Sequence, residues 1–122
     1  MVNRGIYIAV FYLPKKELTH IGKLGLFAFR RGFYVYVGSA QRNLSLRLKK
    51  HSKKNKPLWW HIDYISIKAE MLGAIVVPGS DKRECKLAEE LSGIFELAVP
   101  RFGASDCRCS GHLFYTKDLA KI

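Results

Sequence analysis

Two helical stretches of this chain carry charged side chains where apolar ones are expected. After Asn43, Leu44, Arg47, Leu48 and His51 fall at i, i+3, i+4 and i+7 and so share one face. A long cation on a stripe that should meet a sheet needs a buried carboxylate, or a cleft where its fork of donors meets a phosphate. The spacing leaves both open. A later stretch lines up Glu84, Leu87, Ala88, Leu91 and Phe95, with Glu89 and Glu90 pointing away. Glu84 either complements the positive end of the helix dipole or faces inward to hold a hard divalent metal. An inward arginine and an inward glutamate together match the needs of phosphodiester cleavage. There a metal polarises the phosphate, a cation neutralises developing charge and a proton acceptor activates water. Near the C-terminus, Cys107, Cys109 and His112 form C-x-C-x-x-H, with Cys85 and His61 as possible fourth ligands. Such a set serves either a structural zinc or a group of buried or redox-active thiols.

The charge distribution names a partner. The 122 residues carry 21 Lys plus Arg against 10 Asp plus Glu, a formal charge of +11. Residues 1–62 hold thirteen basic side chains and one acid, Glu17, whereas residues 63–122 hold eight basic and nine acidic ones. The densest stretch contains Arg42, Arg47, Lys49, Lys50, Lys53, Lys54 and Lys56 and no acid. Such a one-sided field attracts polyanions, nucleic acid ahead of an anionic membrane. A membrane surface is the poorer fit, because the basic helix lacks a broad apolar face. Trp59, Trp60 and Tyr64 interleave with His61 and Asp63 beside it; most of these rings suit a core, and one exposed ring suits stacking on an unpaired base.

The elements that must position these groups follow from pattern. The length fits one domain, and 48% hydrophobic residues argue against a disordered basic tail. Residues 5–13 form an apolar β-rich run stopped by Pro14, read as a first strand rather than a signal peptide. Residues 33–38 alternate as a second strand, and residues 25–29 suggest a short extra one. Asn43 caps a basic helix running to about Lys54, and Pro57 opens a second helical segment through residue 67. Residues 70–78 read as a buried strand and residues 81–95 as a helix; the rest is mostly loop, with a strand at 112–116. The order β-β-α-α-β-α makes a small α/β domain, an α+β sandwich with a short, mostly antiparallel central sheet flanked by helices. With no membrane-length apolar run, the chain reads as cytoplasmic, its three cysteines serving as thiols or ligands rather than a disulfide framework.

The ordered set of these residues resembles the GIY-YIG nuclease superfamily. Gly5-Ile6-Tyr7 stands in the first strand, and Tyr36-Val37-Gly38 stands where the family has YIG, followed by Ser39-Ala40. L-x-x-R-x-x-x-H follows as Leu44, Arg47 and His51, and Glu84 opens a later E-C-K-L-A. The whole chain is similar to an uncharacterised, mainly archaeal branch, a domain of unknown function (DUF123). Its landmarks appear as Ile21-Gly22-Lys23-Leu24-Gly25, Trp60-His61-Ile62-Asp63-Tyr64, Arg83-Glu84-Cys85 and the residues from Gly103 to Cys109 with His112-Leu113. Residues 14–31 are an inserted hairpin segment relative to the superfamily, and residues 96–122 a Cys/His-containing C-terminal extension.

The resemblance implies one divalent-metal-dependent endonuclease domain acting on DNA, with structured or damaged DNA in repair as the context. In that reading Glu84 binds one Mg²⁺ or Mn²⁺, Arg47 holds a phosphate oxygen, and Tyr7 or Tyr36 orients or deprotonates the attacking water. His51 is an alternative proton carrier, and Tyr34 a structural or substrate-contacting ring. Arg42, Lys49, Lys50, Lys53, Lys54, Lys56, Ser39 and His61 are expected on nucleic acid, DNA before RNA. The resemblance also implies a DNA-repair protein as a partner and a nucleoid-associated address. A non-catalytic nucleic-acid-binding module on the same scaffold is the alternative.

Overall fold

A computed structural model of the protein describes residues 5–40, 43–56, 58, 61–77, 82–99, 102 and 111–118. Arg42, Trp59, Trp60, Cys107 and Cys109, singled out above, lie outside the described residues. Among those described, the elements run β1 (Gly5–Leu13), β2 (Glu17–Ile21), β3 (Gly25–Phe29), β4 (Gly32–Ala40), α1 (Leu44–His51), α2 (His61–Ser66), β5 (Glu70–Val77), α3 (Lys82–Ser92), β6 (Glu96–Leu97) and β7 (Leu113–Thr116). Five strands form a sheet in the order β5-β1-β4-β7-β6, and β2 and β3 form a separate hairpin. Every pairing is antiparallel. The architecture is the expected mixed α/β sandwich.

Alternation sorts the side chains of β1 and β4 into two cores. Tyr7, Ala9, Phe11 and Leu13 join Tyr34 and Tyr36 on one face, where they meet Leu44 of α1, Ile62 and Ile65 of α2, Phe102, and Ile21 and Phe29 of the hairpin. Ile6, Val35, Val37 and Phe114 face the other way and pack against Ala88, Leu87 and Leu91 of α3. Helices therefore approach the two central strands from opposite sides. No helix among the described residues is long and apolar enough to cross a membrane.

Five expectations change. The segment expected as an insertion forms a full hairpin, Glu17 pairing with Phe29 and Ile21 with Gly25, so residues 17–21 are a strand as well. The expected buried strand at 70–78 lies at the sheet edge, with Leu72, Ile75 and Val76 51%, 61% and 43% exposed. An unbroken apolar run records β character but not whether both faces are covered. The basic helix ends at His51 rather than Lys54, because the Ser52 hydroxyl takes the Lys49 carbonyl at 2.7 Å. Asn43 does not cap that helix with its side chain; it sits in the left-handed region at φ 57°, ψ 39°, which asparagine tolerates, and its carbonyl accepts the Arg47 N–H at 3.0 Å. The C-terminal extension contributes two sheet strands, β6 as well as the expected β7.

Candidate functional site

The β1–β4 register sets Tyr7 directly opposite Gly38. Gly38 has no side chain because Tyr7 occupies the space: a Cβ there would lie 2.5 Å from the Tyr7 Cζ and hydroxyl and 2.9 Å from Tyr36 Cε2. From this bed the Tyr7 hydroxyl reaches the His51 Nε2 at 2.7 Å. The rings of Tyr7, Tyr36 and His51 close a triangle with centroids 5.5 to 6.2 Å apart. All three are buried.

One residue further along β4, the opposite charges meet. The Arg47 guanidinium, arriving from α1, donates to the Ser39 carbonyl. The Ser39 hydroxyl, on the other face of the strand, donates to Glu84 Oε2 at 3.0 Å, and Glu84 arrives from α3. The remaining carboxylate oxygen, Oε1, lies 3.2 Å from Nδ1 of His112, just ahead of β7. Ser39 is thus the hinge between a cation and an anion delivered by helices on opposite faces of the sheet.

Burial governs the chemistry of the triad. It raises the Tyr7 hydroxyl well above the usual phenol range; Arg47 pulls it back through its charge and a hydrogen bond, while Glu84 and Asp63 push it up. Tyr36 is raised too, first by burial and then by Tyr7 and Glu84. His51 falls to about 4, because burial and the charges of Lys56 and Arg47 oppose a second proton more than Asp63 favours it. With Arg47 donating to the phenol oxygen, the phenol proton needs an acceptor, and the neutral Nε2 supplies it. The Nδ1 of His51 then carries the imidazole proton, buried and with no hydrogen-bond partner.

A family model described as "Domain of unknown function DUF123" matches residues 6–122. The chain belongs to the DUF123 family. No curated protein and no solved structure matches it.

The DUF123 domain brings together Tyr7, Tyr36, Ser39, Arg47, His51 and Glu84, and it does so without the lysines of the same basic stretch. Lys49, Lys50 and Lys53 are exposed. Lys56 is instead inside the fold: its ammonium lies 3.5 Å from Asp63 Oδ1 and donates to Ser66 Oγ at 2.7 Å, the paired side chains being 8% and 7% exposed. Lys54 reaches back to the Ala69 carbonyl. His61 packs on Phe102 at 5.5 Å, and burial lowers its pKa. Tyr34 is structural, donating to the Arg30 carbonyl at 2.7 Å. Ser39, expected on nucleic acid, holds Glu84.

The expected zinc set also changes. Cys85 is disulfide-bonded, and an oxidised sulfur is no thiolate ligand, so it leaves that set and the expectation of free thiols fails for it. Among the described residues, no group of three or more His, Cys, Asp or Glu converges to hold a metal. His112 takes a different place, beside Glu84. The expected strand at 112–116, once paired with the Tyr36 strand, was the available signal for that neighbourhood. Asp63 had no signal beyond its sequence neighbours, yet its charge bears on Tyr7, Tyr36 and His51.

Proposed function

We propose that this DUF123 protein is a divalent-metal-dependent endonuclease of the GIY-YIG type that hydrolyses phosphodiester bonds in DNA, with structured or damaged DNA as its substrate. The observation that carries the reading is the meeting of Arg47 and Glu84 on opposite sides of Ser39, next to the hydrogen-bonded Tyr7–His51 pair. A hydrolytic phosphodiester site needs a phosphate cation, an anchor for a metal and a proton path, and these residues supply one of each.

The donor set fits a hard divalent cation. Glu84 presents a carboxylate whose side chain is 19% exposed, so the site opens outward while its walls are buried. When bound, such an ion polarises the phosphate and stabilises the leaving oxygen. Arg47, already turned to the Ser39 carbonyl and the Tyr7 hydroxyl, holds a non-bridging phosphate oxygen through its fork of donors. Tyr7 orients the attacking water and passes its own proton to His51 Nε2. In the resting protein that transfer runs uphill, because burial raises the phenol and lowers the imidazole and so favours both neutral forms. A positive charge brought near the phenol lowers this gap, as Arg47 already does in part. Exposed Lys49, Lys50 and Lys53 hold the flanking backbone.

The test is cleavage of supercoiled plasmid and of a labelled flap duplex with Mn²⁺, Mg²⁺ or EDTA, using wild type, Glu84→Ala and Arg47→Ala. Metal-dependent nicking lost in both variants supports the reading. Salt-sensitive DNA binding with no cutting in any metal overturns it and leaves a nucleic-acid-binding module.

A further inference from the structure

We propose that His112 is a second protein ligand of the cation held by Glu84, making a mixed imidazole–carboxylate site that prefers manganese-class ions to magnesium. The proposal rests on the metal-dependent reading of the Glu84 site. Three observations carry it. The His112 side chain is 1% exposed, and its backbone is pinned on both sides, the N–H donating to the Phe102 carbonyl at 2.7 Å and the carbonyl accepting from Val37 at 3.0 Å. The ring therefore cannot swing away from Glu84.

The second observation is distance. Nδ1 of His112 and Oε1 of Glu84 lie 3.2 Å apart. Two neighbouring ligands of one octahedral ion, each about 2.1 Å from it, stand about 3 Å apart. Ser39 occupies the other carboxylate oxygen and so directs Oε1 to this side.

The third is the far nitrogen. His112 Nε2 lies 3.9 Å from the Cys85 sulfur, and a disulfide sulfur has no proton to give. With a metal ion between Nδ1 and Oε1, Nε2 would be the protonated nitrogen and would face this sulfur, a weak acceptor. A metal-bound histidine commonly has this arrangement, its second nitrogen donating to an acceptor that fixes ring and tautomer. Imidazole suits later transition ions and carboxylate suits harder ones, so a site with one of each shifts preference from Mg²⁺ toward Mn²⁺.

The experiment uses the full chain and Mn²⁺ alone. Electron paramagnetic resonance measures free Mn²⁺ during titration, and electron spin echo modulation detects nitrogen bound to the ion. Wild type should show ¹⁴N modulation, replaced by the ¹⁵N pattern after histidine labelling. This arm needs no substitution and survives if a His112 variant fails to fold. His112→Gln should lose the nitrogen coupling and bind Mn²⁺ about tenfold or more weakly, with a narrowed Mn²⁺-over-Mg²⁺ preference in competition. Bound Mn²⁺ without nitrogen coupling in wild type overturns the proposal and reduces His112 to an ion-pair partner of Glu84. No Mn²⁺ binding overturns it together with the metal-dependent reading. Nitrogen coupling with no DNA cleavage supports the metal site and overturns the nuclease reading alone.

Discussion

Replacing Gly38 with alanine should destabilise the protein, although the backbone there permits the change. Gly38 is not among the glycines with positive φ, so in open space the substitution would gain about 0.4–1 kcal/mol by restricting the unfolded chain. The tertiary surroundings reverse the sign. The new methyl would sit 2.5 Å from the Tyr7 Cζ and hydroxyl and 2.9 Å from Tyr36 Cε2. Tyr7 is 2% exposed and tied to His51 at 2.7 Å, so its ring cannot yield without breaking that bond. Overpacking costs about 1–3 kcal/mol and a lost hydrogen bond about 1 kcal/mol. Less the unfolded-state gain, the net loss is about 1–3.5 kcal/mol, or roughly 4–14 °C in melting temperature for a domain of this size. Urea unfolding followed by circular dichroism measures it. In a Tyr7→Ala background the same substitution should cost much less, since only the Tyr36 Cε2 contact at 2.9 Å remains and that ring gains room to shift. A Gly38→Ala protein as stable as wild type would refute the packing account.

The other expected outcomes concern buried charge. His51 titrates near 4 in the fold and near 6.5 when unfolded, so its contribution is complete above pH 6.5 and lost as pH falls from 6.5 to 4. The loss is on the order of 3 kcal/mol; urea midpoints between pH 7.5 and 4.5 should fall more steeply for wild type than for His51→Gln, and parallel slopes would contradict the assignment. Asp63→Ala leaves the Lys56 ammonium buried without its carboxylate and should cost about 3–5 kcal/mol. Combining Lys56→Met with Asp63→Leu should recover most of that loss in the same assay, because the desolvated charge disappears with its partner.

Helical periodicity made the two helices of the candidate site legible before any contact was known. Leu44, Arg47, Leu48 and His51 share one face by spacing alone, and Leu44 and His51 are buried as that face requires. Glu84 likewise heads an apolar stripe whose Ala88, Leu87 and Leu91 do pack on the sheet. The hairpin's first strand, β2, and β6 were missed because short strands carry little pattern of their own. The lysines show the limit of a charge count. Lys49 and Lys56 belong to one basic run, yet one is exposed and the other is closed in by Asp63 and Ser66.

What the sequence determined by itself is the local set: which segments form strands and helices, which faces are apolar, and that an arginine, a histidine and a glutamate stand on faces meant for the sheet. Periodicity is a property of neighbours a few residues apart, and a sequence displays it directly. The tertiary structure decided what those faces meet. It paired Tyr7 with Gly38 across two strands, brought Arg47 and Glu84 to Ser39 from opposite sides of the sheet, and set His112 against a carboxylate 28 positions earlier. It also left an apolar strand, β5, on the edge. Each of these depends on strand order and register, which arise when the chain closes long loops to bury its two cores together. No short stretch of sequence contains that information.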